Sequence, residues 1–203
     1  MKMRPRRCLV AALFAVGLLL SRATGEAQTG ALVITQALNG TTVNAAVGQA
    51  IEVDLRGNPS TGSNWVLTNV TGDSVLTNGP AVYTPDQPGV VGGGGTFEFP
   101  FVAAQPGDTA LAFEYLRLGG APLQSFAVTI HVPAPALSIT LAKTNVAVSW
   151  PIAGSTNCFL EGATSLEPSN WAALNVLPLP NGTNYTVTLG TVGNGLYFRL
   201  HRL

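Results

Sequence analysis

The chain has 203 residues, 46% hydrophobic and only 10% charged, with ten basic and ten acidic side chains in formal balance. Two histidines and two cysteines, none at metal-ligand spacing, exclude a His/Cys metal centre and a disulfide framework. Five basic residues (Lys2, Arg4, Arg6, Arg7, Arg22) but only Glu26 among the acids precede residue 28, so a chain cleaved there keeps five basic and nine acidic groups, a net charge of about −4 that disfavours nucleic-acid binding.

In chain order, Lys2, Arg4, Arg6 and Arg7 form a basic n-region ahead of Leu9 to Leu20, an apolar run of 12 residues. That run is short for a bilayer span and is followed by small and polar residues, the pattern of a secretory signal peptide. Cleavage could follow Gly25 or Ala27; Ala27 is favoured, so residues 1–27 are assigned to the signal. The mature chain is expected to be secreted, periplasmic or extracellular, with no stable membrane insertion after cleavage. Cys158 would then lack an intramolecular partner and is read as a small buried hydrophobe, with an intermolecular bridge as the alternative.

Residues 28–132 read as short strands. Ile51, Val53 and Leu55 alternate with Glu52, Asp54 and Arg56; Phe97, Phe99 and Phe101 alternate with Glu98 and Pro100. Leu111, Phe113 and Tyr115, then Phe126, Val128 and Ile130, repeat the pattern, which is the period of a half-buried strand. The turn clusters "GNPSTGS", "TPDQPG", "GGGG", "AQPGD" and "LGGAP" separate them, so the expected fold is all-β, an immunoglobulin-like antiparallel β-sandwich. "VPAPA" stiffens the chain, and residues 133–136 are assigned to a proline-rich linker. The strand pattern restarts over 137–203, a second, smaller β-module.

Catalytic chemistry is not in view. His131 closes a strand beside the linker and His201 is two residues from the final leucine; both read as surface or structural histidines. No Gly-x-Ser-x-Gly elbow occurs, and the glycines from Gly92 to Gly95 are followed by the strand pattern "TFEFPF", not by a lysine and a helix, so they are not a phosphate loop. No enzyme, metal or cofactor is expected.

A β-sandwich gathers loops remote in sequence at its two ends, where binding surfaces form. "GQAIEVDLRGNPSTGSNW", then "GVVGGGGTFEF", then "PGDTALAFEYLRLGGAP" resembles the chagasin-like family of cysteine-protease inhibitors, over about residues 31–132. In that family an Asn-Pro-Thr-Thr-Gly loop, a Gly-x-Gly-Gly loop and an Arg-Pro-Trp loop follow in this order on an immunoglobulin-like sandwich. The resemblance implies a wedge of three loops that occludes the cleft of a papain-like cysteine protease. It implies Asn58, Pro59, Ser60, Thr61 and Gly62 as the central loop, holding the hydroxyl residues Ser60 and Thr61 outward near the catalytic cysteine, with Trp65 in the core beneath. It implies Gly92, Gly94 and Gly95 as the second loop, and Arg117, Leu118 and Gly119 as the third. Ser60 stands for the first threonine, Ser63 for an aromatic residue, and Leu118-Gly119 for Pro-Trp; loss of an interface tryptophan costs about 2–4 kcal/mol.

The second module resembles small fibronectin-III- or immunoglobulin-like modules of bacterial secreted proteins, which implies Trp150, Leu160, Leu166, Trp171 and Phe198 as its core. The leading expectation is a monomeric secreted inhibitor of papain-like proteases. The alternative is an extracellular adhesion or carbohydrate-binding sandwich, with Trp150 or Trp171 stacking on sugars.

Overall fold

A computed structural model describes residues 30–202 except 91, 118, 143, 168, 169 and 191–194. The signal-peptide expectation for residues 1–27 and the site residue Leu118 lie outside the described residues. The chain divides into two compact units between Pro133 and Ala134, each with its own hydrophobic cluster. Among the described residues the helical turns are short 3-10 segments, and strands make up most of the rest.

In the first unit nine strands form: β1 (Leu32–Thr35), β2 (Thr42–Asn44), β3 (Ala50–Gly57), β4 (Ser63–Thr71), β5 (Val75–Thr77), β6 (Val82–Pro85), β7 (Gly95–Ala103), β8 (Gly107–Arg117) and β9 (Pro122–Val132). One sheet runs β1-β3-β7-β5, with β6 also paired to β7; the other runs β2-β9-β8-β4. The pairings are antiparallel except β1 with β3 and β2 with β9, which are parallel. Alternate residues of β3, β7, β8 and β9 point inward and are buried, as a sheet with one solvated face requires. Phe113 sits at the centre, its ring 4.8 Å from that of Phe99 and 6.0 Å from that of Phe126. Truncating such a side chain to alanine removes about 3–5 kcal/mol.

The turn cluster "GNPSTGS" joins β3 in one sheet to β4 in the other. The β6–β7 connection emerges beside it from the first sheet, and the β8–β9 connection from the second. Strand order therefore brings the three connections to one end of the sandwich, because β3 neighbours β7 and β4 neighbours β8.

The second unit has β10 (Ser138–Ala142), β11 (Asn145–Pro151), β12 (Cys158–Ala163), β13 (Ala172–Ala173), β14 (Leu179–Asn181), β15 (Asn184–Gly190) and β16 (Tyr197–Arg202). They form a sheet β10-β11-β15-β14 and a sheet β13-β12-β16. Trp150, Leu160 and Phe198 are core residues, with Val148, Val187 and Leu200. Leu166 is not: it is 47% exposed, outside the strands whose alternation would turn it inward. Trp171 is half-buried, with the Arg199 guanidinium 4.4 Å over its ring. Arg199 in turn donates to the buried Glu161 carboxylate at 2.5 Å, whose other oxygen meets His201 Nδ1 at 2.9 Å. Cys158 packs against the core of this unit. His131 sits at the surface of the first unit, 2.7 Å from Asp108 Oδ1.

Candidate functional site

The central connection is a single 3-10 turn, Pro59–Thr61. Its sequence explains it: Pro59 pre-sets φ at the first position, and Asn58 caps the turn with its side chain. Asn58 Oδ1 accepts from Ser60 N at 3.1 Å and from Ser60 Oγ at 2.6 Å. Thr61 Oγ1 donates to Asn58 O at 2.7 Å. Gly62 ends the turn at φ +77°, a left-handed conformation that costs glycine little. Ser60 and Thr61 are both exposed at the tip, and each hydroxyl donates one bond to Asn58. Short hydroxyl side chains bond the nearest backbone or cap when a turn leaves groups unpaired, and each keeps its acceptor lone pairs.

The second connection is longer than its glycine run. It spans residues 86–94 and is closed by Asp86 N donating to Gly94 O at 3.0 Å. Gly92 has φ +87°, so a side chain there would be strained. Gly95 is not part of the loop: it belongs to β7, opposite Gly57 on one side and Pro85 on the other. A Cβ at Gly95 would meet Thr84 O and lie 2.5 Å from the Tyr83 hydroxyl, so that glycine is required by close strand packing. Arg56 holds the base of this loop with two bonds to the Asp86 carboxylate, Nη1 to Oδ1 at 2.5 Å and Nη2 to Oδ2. The guanidinium holds the Asp86 carboxyl below the usual range. Sequence reasoning missed this pair, since 30 residues separate its members and no local pattern joins them.

The third connection turns at Arg117, where Gly120 N donates to Arg117 O at 2.9 Å and Gly119 takes φ +74°. Arg117 Nη2 donates to Thr61 O at 3.3 Å, and Asn58 Nδ2 donates to Gly92 O at 2.9 Å. The second and third loops are thus each hydrogen-bonded to the central one. Asn58, Pro59, Ser60, Thr61, Gly62, Gly92, Gly94, Arg117 and Gly119 are gathered at this end.

Beneath the turn lie Trp65 and Tyr115, both buried, ring centroids 5.3 Å apart. The Trp65 indole donates to Arg56 O at 2.9 Å, which makes it floor and not tip. Of the tryptophans considered for sugar stacking, Trp150 is buried and Trp171 is half-buried with Arg199 over its ring. No group of His, Cys, Asp and Glu among the described residues could hold a metal ion.

The first unit is thus an all-β, immunoglobulin-like sandwich with three loops at one end, the central one hydrogen-bonded to each of the other two. Residues 44–132 match the chagasin family of peptidase inhibitors, I42. Amoebiasin-1 of Entamoeba histolytica is 35% identical over 86 residues, 41% of this chain and 80% of that protein. Chagasin of Trypanosoma cruzi is 33% identical over 88 residues, 41% of this chain and 79% of that protein. The crystal structure of a cysteine protease inhibitor from Entamoeba histolytica covers 51% of this chain and 96% of its own, at 23% identity and a TM-score of 0.44. Through its first unit the chain belongs to the chagasin family, whose members are peptidase inhibitors and not enzymes.

Proposed function

We propose that the chain inhibits papain-like cysteine proteases by steric occlusion, as a monomer and without covalent chemistry. The turn Asn58–Gly62 enters the active-site cleft. The backbone at Gly92 and Gly94 runs along one side, pairing with the enzyme as an extended substrate does, and Arg117, Leu118 and Gly119 rest on the other.

The observation that carries this reading is the cross-bracing of the loops: Asn58 Nδ2 to Gly92 O and Arg117 Nη2 to Thr61 O. A ridge held in shape before it meets the enzyme avoids most of the ordering cost of binding, which is about 0.5–1.5 kcal/mol per immobilised side chain. Titration of papain with the full chain tests it. Reversible inhibition, competitive with substrate, is the expected result; full papain activity at high micromolar protein, with the protein itself intact, would reject it.

A further inference from the structure

We infer that Tyr115, buried beneath the central turn, is the positioning residue that gives that turn its binding shape; this rests on the inhibitory reading above. Its hydroxyl accepts from Asn58 N at 2.8 Å and donates to Asn58 O at 3.1 Å. One oxygen thereby bonds both backbone polar groups of the residue whose side chain caps the turn and reaches Gly92. Asn58 O also accepts from Thr61 N and Thr61 Oγ1, whereas the bond to Asn58 N is the one the hydroxyl alone supplies. The Trp65 indole donates to Arg56 O, so two neighbouring aromatic residues, their rings tilted by 37°, hold the backbone on either side of Gly57.

Gly57 makes the grip possible. A Cβ there would lie 2.8 Å from Phe97 Cε2 and 3.0 Å from Tyr115 Cε2, so any side chain would push against the rings beside it. Tyr115 is also two residues before Arg117 on β8, and the period of a strand puts both side chains on one face. The same strand therefore fixes Asn58 from below and supplies the arginine that bonds Thr61. The hydroxyl contacts no partner; it acts by holding Asn58, through which the second loop is held as well.

The Tyr115→Phe variant keeps the ring and removes the pin. In full-length protein titrated against papain, its inhibition constant should rise about tenfold, the equivalent of about 1.4 kcal/mol. The rise should come from faster dissociation, and amide exchange at Ser60, Thr61 and Gly62 should accelerate. Val128→Ala, a core truncation on β9 remote from the loops, is the control for stability alone: it should lower the melting temperature and leave the inhibition constant within about twofold. If the wild-type chain fails to inhibit papain, the inhibitory reading falls before this one is reached. If the wild type inhibits and Tyr115→Phe inhibits equally well, or if Val128→Ala weakens inhibition as much as Tyr115→Phe does, the positioning role is overturned.

Discussion

Gly95 shows how a single residue type can be demanded by packing and not by turn geometry. Its neighbour across the ladder is Gly57, so two glycines face each other where β3 and β7 meet the loops. A methyl group at Gly95 would collide with the Thr84 carbonyl, which is backbone and cannot rotate away, and with the Tyr83 hydroxyl. Gly95→Ala should therefore destabilise the first unit by about 1–3 kcal/mol, the usual range for an overpacked site. A denaturant melt compared with wild type measures it. Read in sequence, this glycine sits at the end of "GGGG" and looks like loop; the collision that requires it comes from residues 84 and 83, which only the paired strands bring near. Asn58 and Gly62 were legible, because cap, proline and left-handed glycine follow one another in the chain. The bonds from the Ser60 and Thr61 hydroxyls to Asn58 were not, since they depend on which groups the turn leaves unpaired.

Among elements, the strands were the most readable, because alternation of Ile51, Val53 and Leu55 or of Phe97, Phe99 and Phe101 records burial directly. The parallel placement of β1 beside β3 and of β2 beside β9 was not readable, since nothing local to residues 32–35 or 42–44 names their partner. The second loop illustrates the same limit: its glycines were visible, its brace was not. Arg56 and Asp86 are both exposed, 57% and 45% in their side chains, so solvent screens their attraction. Exposed pairs of this kind contribute little to stability. Arg56→Ala should accordingly leave the melting temperature within a few degrees of wild type while amide exchange at Asp86, whose N–H closes the loop on Gly94 O, becomes faster. A large loss of stability would mean that Arg56 supports the sheet and not the loop.

Across the whole molecule, each unit carries a carboxylate, half-buried Asp54 and buried Glu161, and the two are shifted from their ordinary values in opposite directions. Asp54, on β3, is pushed up from its ordinary value of 3.8 by burial first, then by the negative charges of Glu52 and Glu98. Its contribution to folding is full below pH 3.8 and is lost as pH rises through the higher folded value. Asp54→Asn should therefore raise the melting temperature at neutral pH, with the gain fading below 3.8. For Glu161, burial alone would push the carboxyl up, but hydrogen bonds from His201 and Arg199 outweigh it and hold it below the ordinary 4.5. That stability is present above 4.5 and lost as pH falls through the lower folded value. Glu161→Gln should melt earlier than wild type at neutral pH, and the difference should shrink on acidification. Thermal melts of both variants from about pH 7 to about pH 3 read the two signs, and the same slope in both would contradict the assignment. Neither carboxylate could be ranked from sequence, because both sit on alternating strand positions that read as solvated faces.

The grip of Tyr115 on Asn58 joins residues 57 positions apart, across the two sheets of the sandwich. The ridge is consequently not a property of the segment "GNPSTG" but of the closed fold. A chain that has lost the pairing of β8 with β4 presents the same residues as an ordinary flexible peptide, and a flexible peptide in a protease cleft is a substrate. Folding is what separates the two fates, so resistance to digestion and capacity to inhibit should disappear together as the first unit opens.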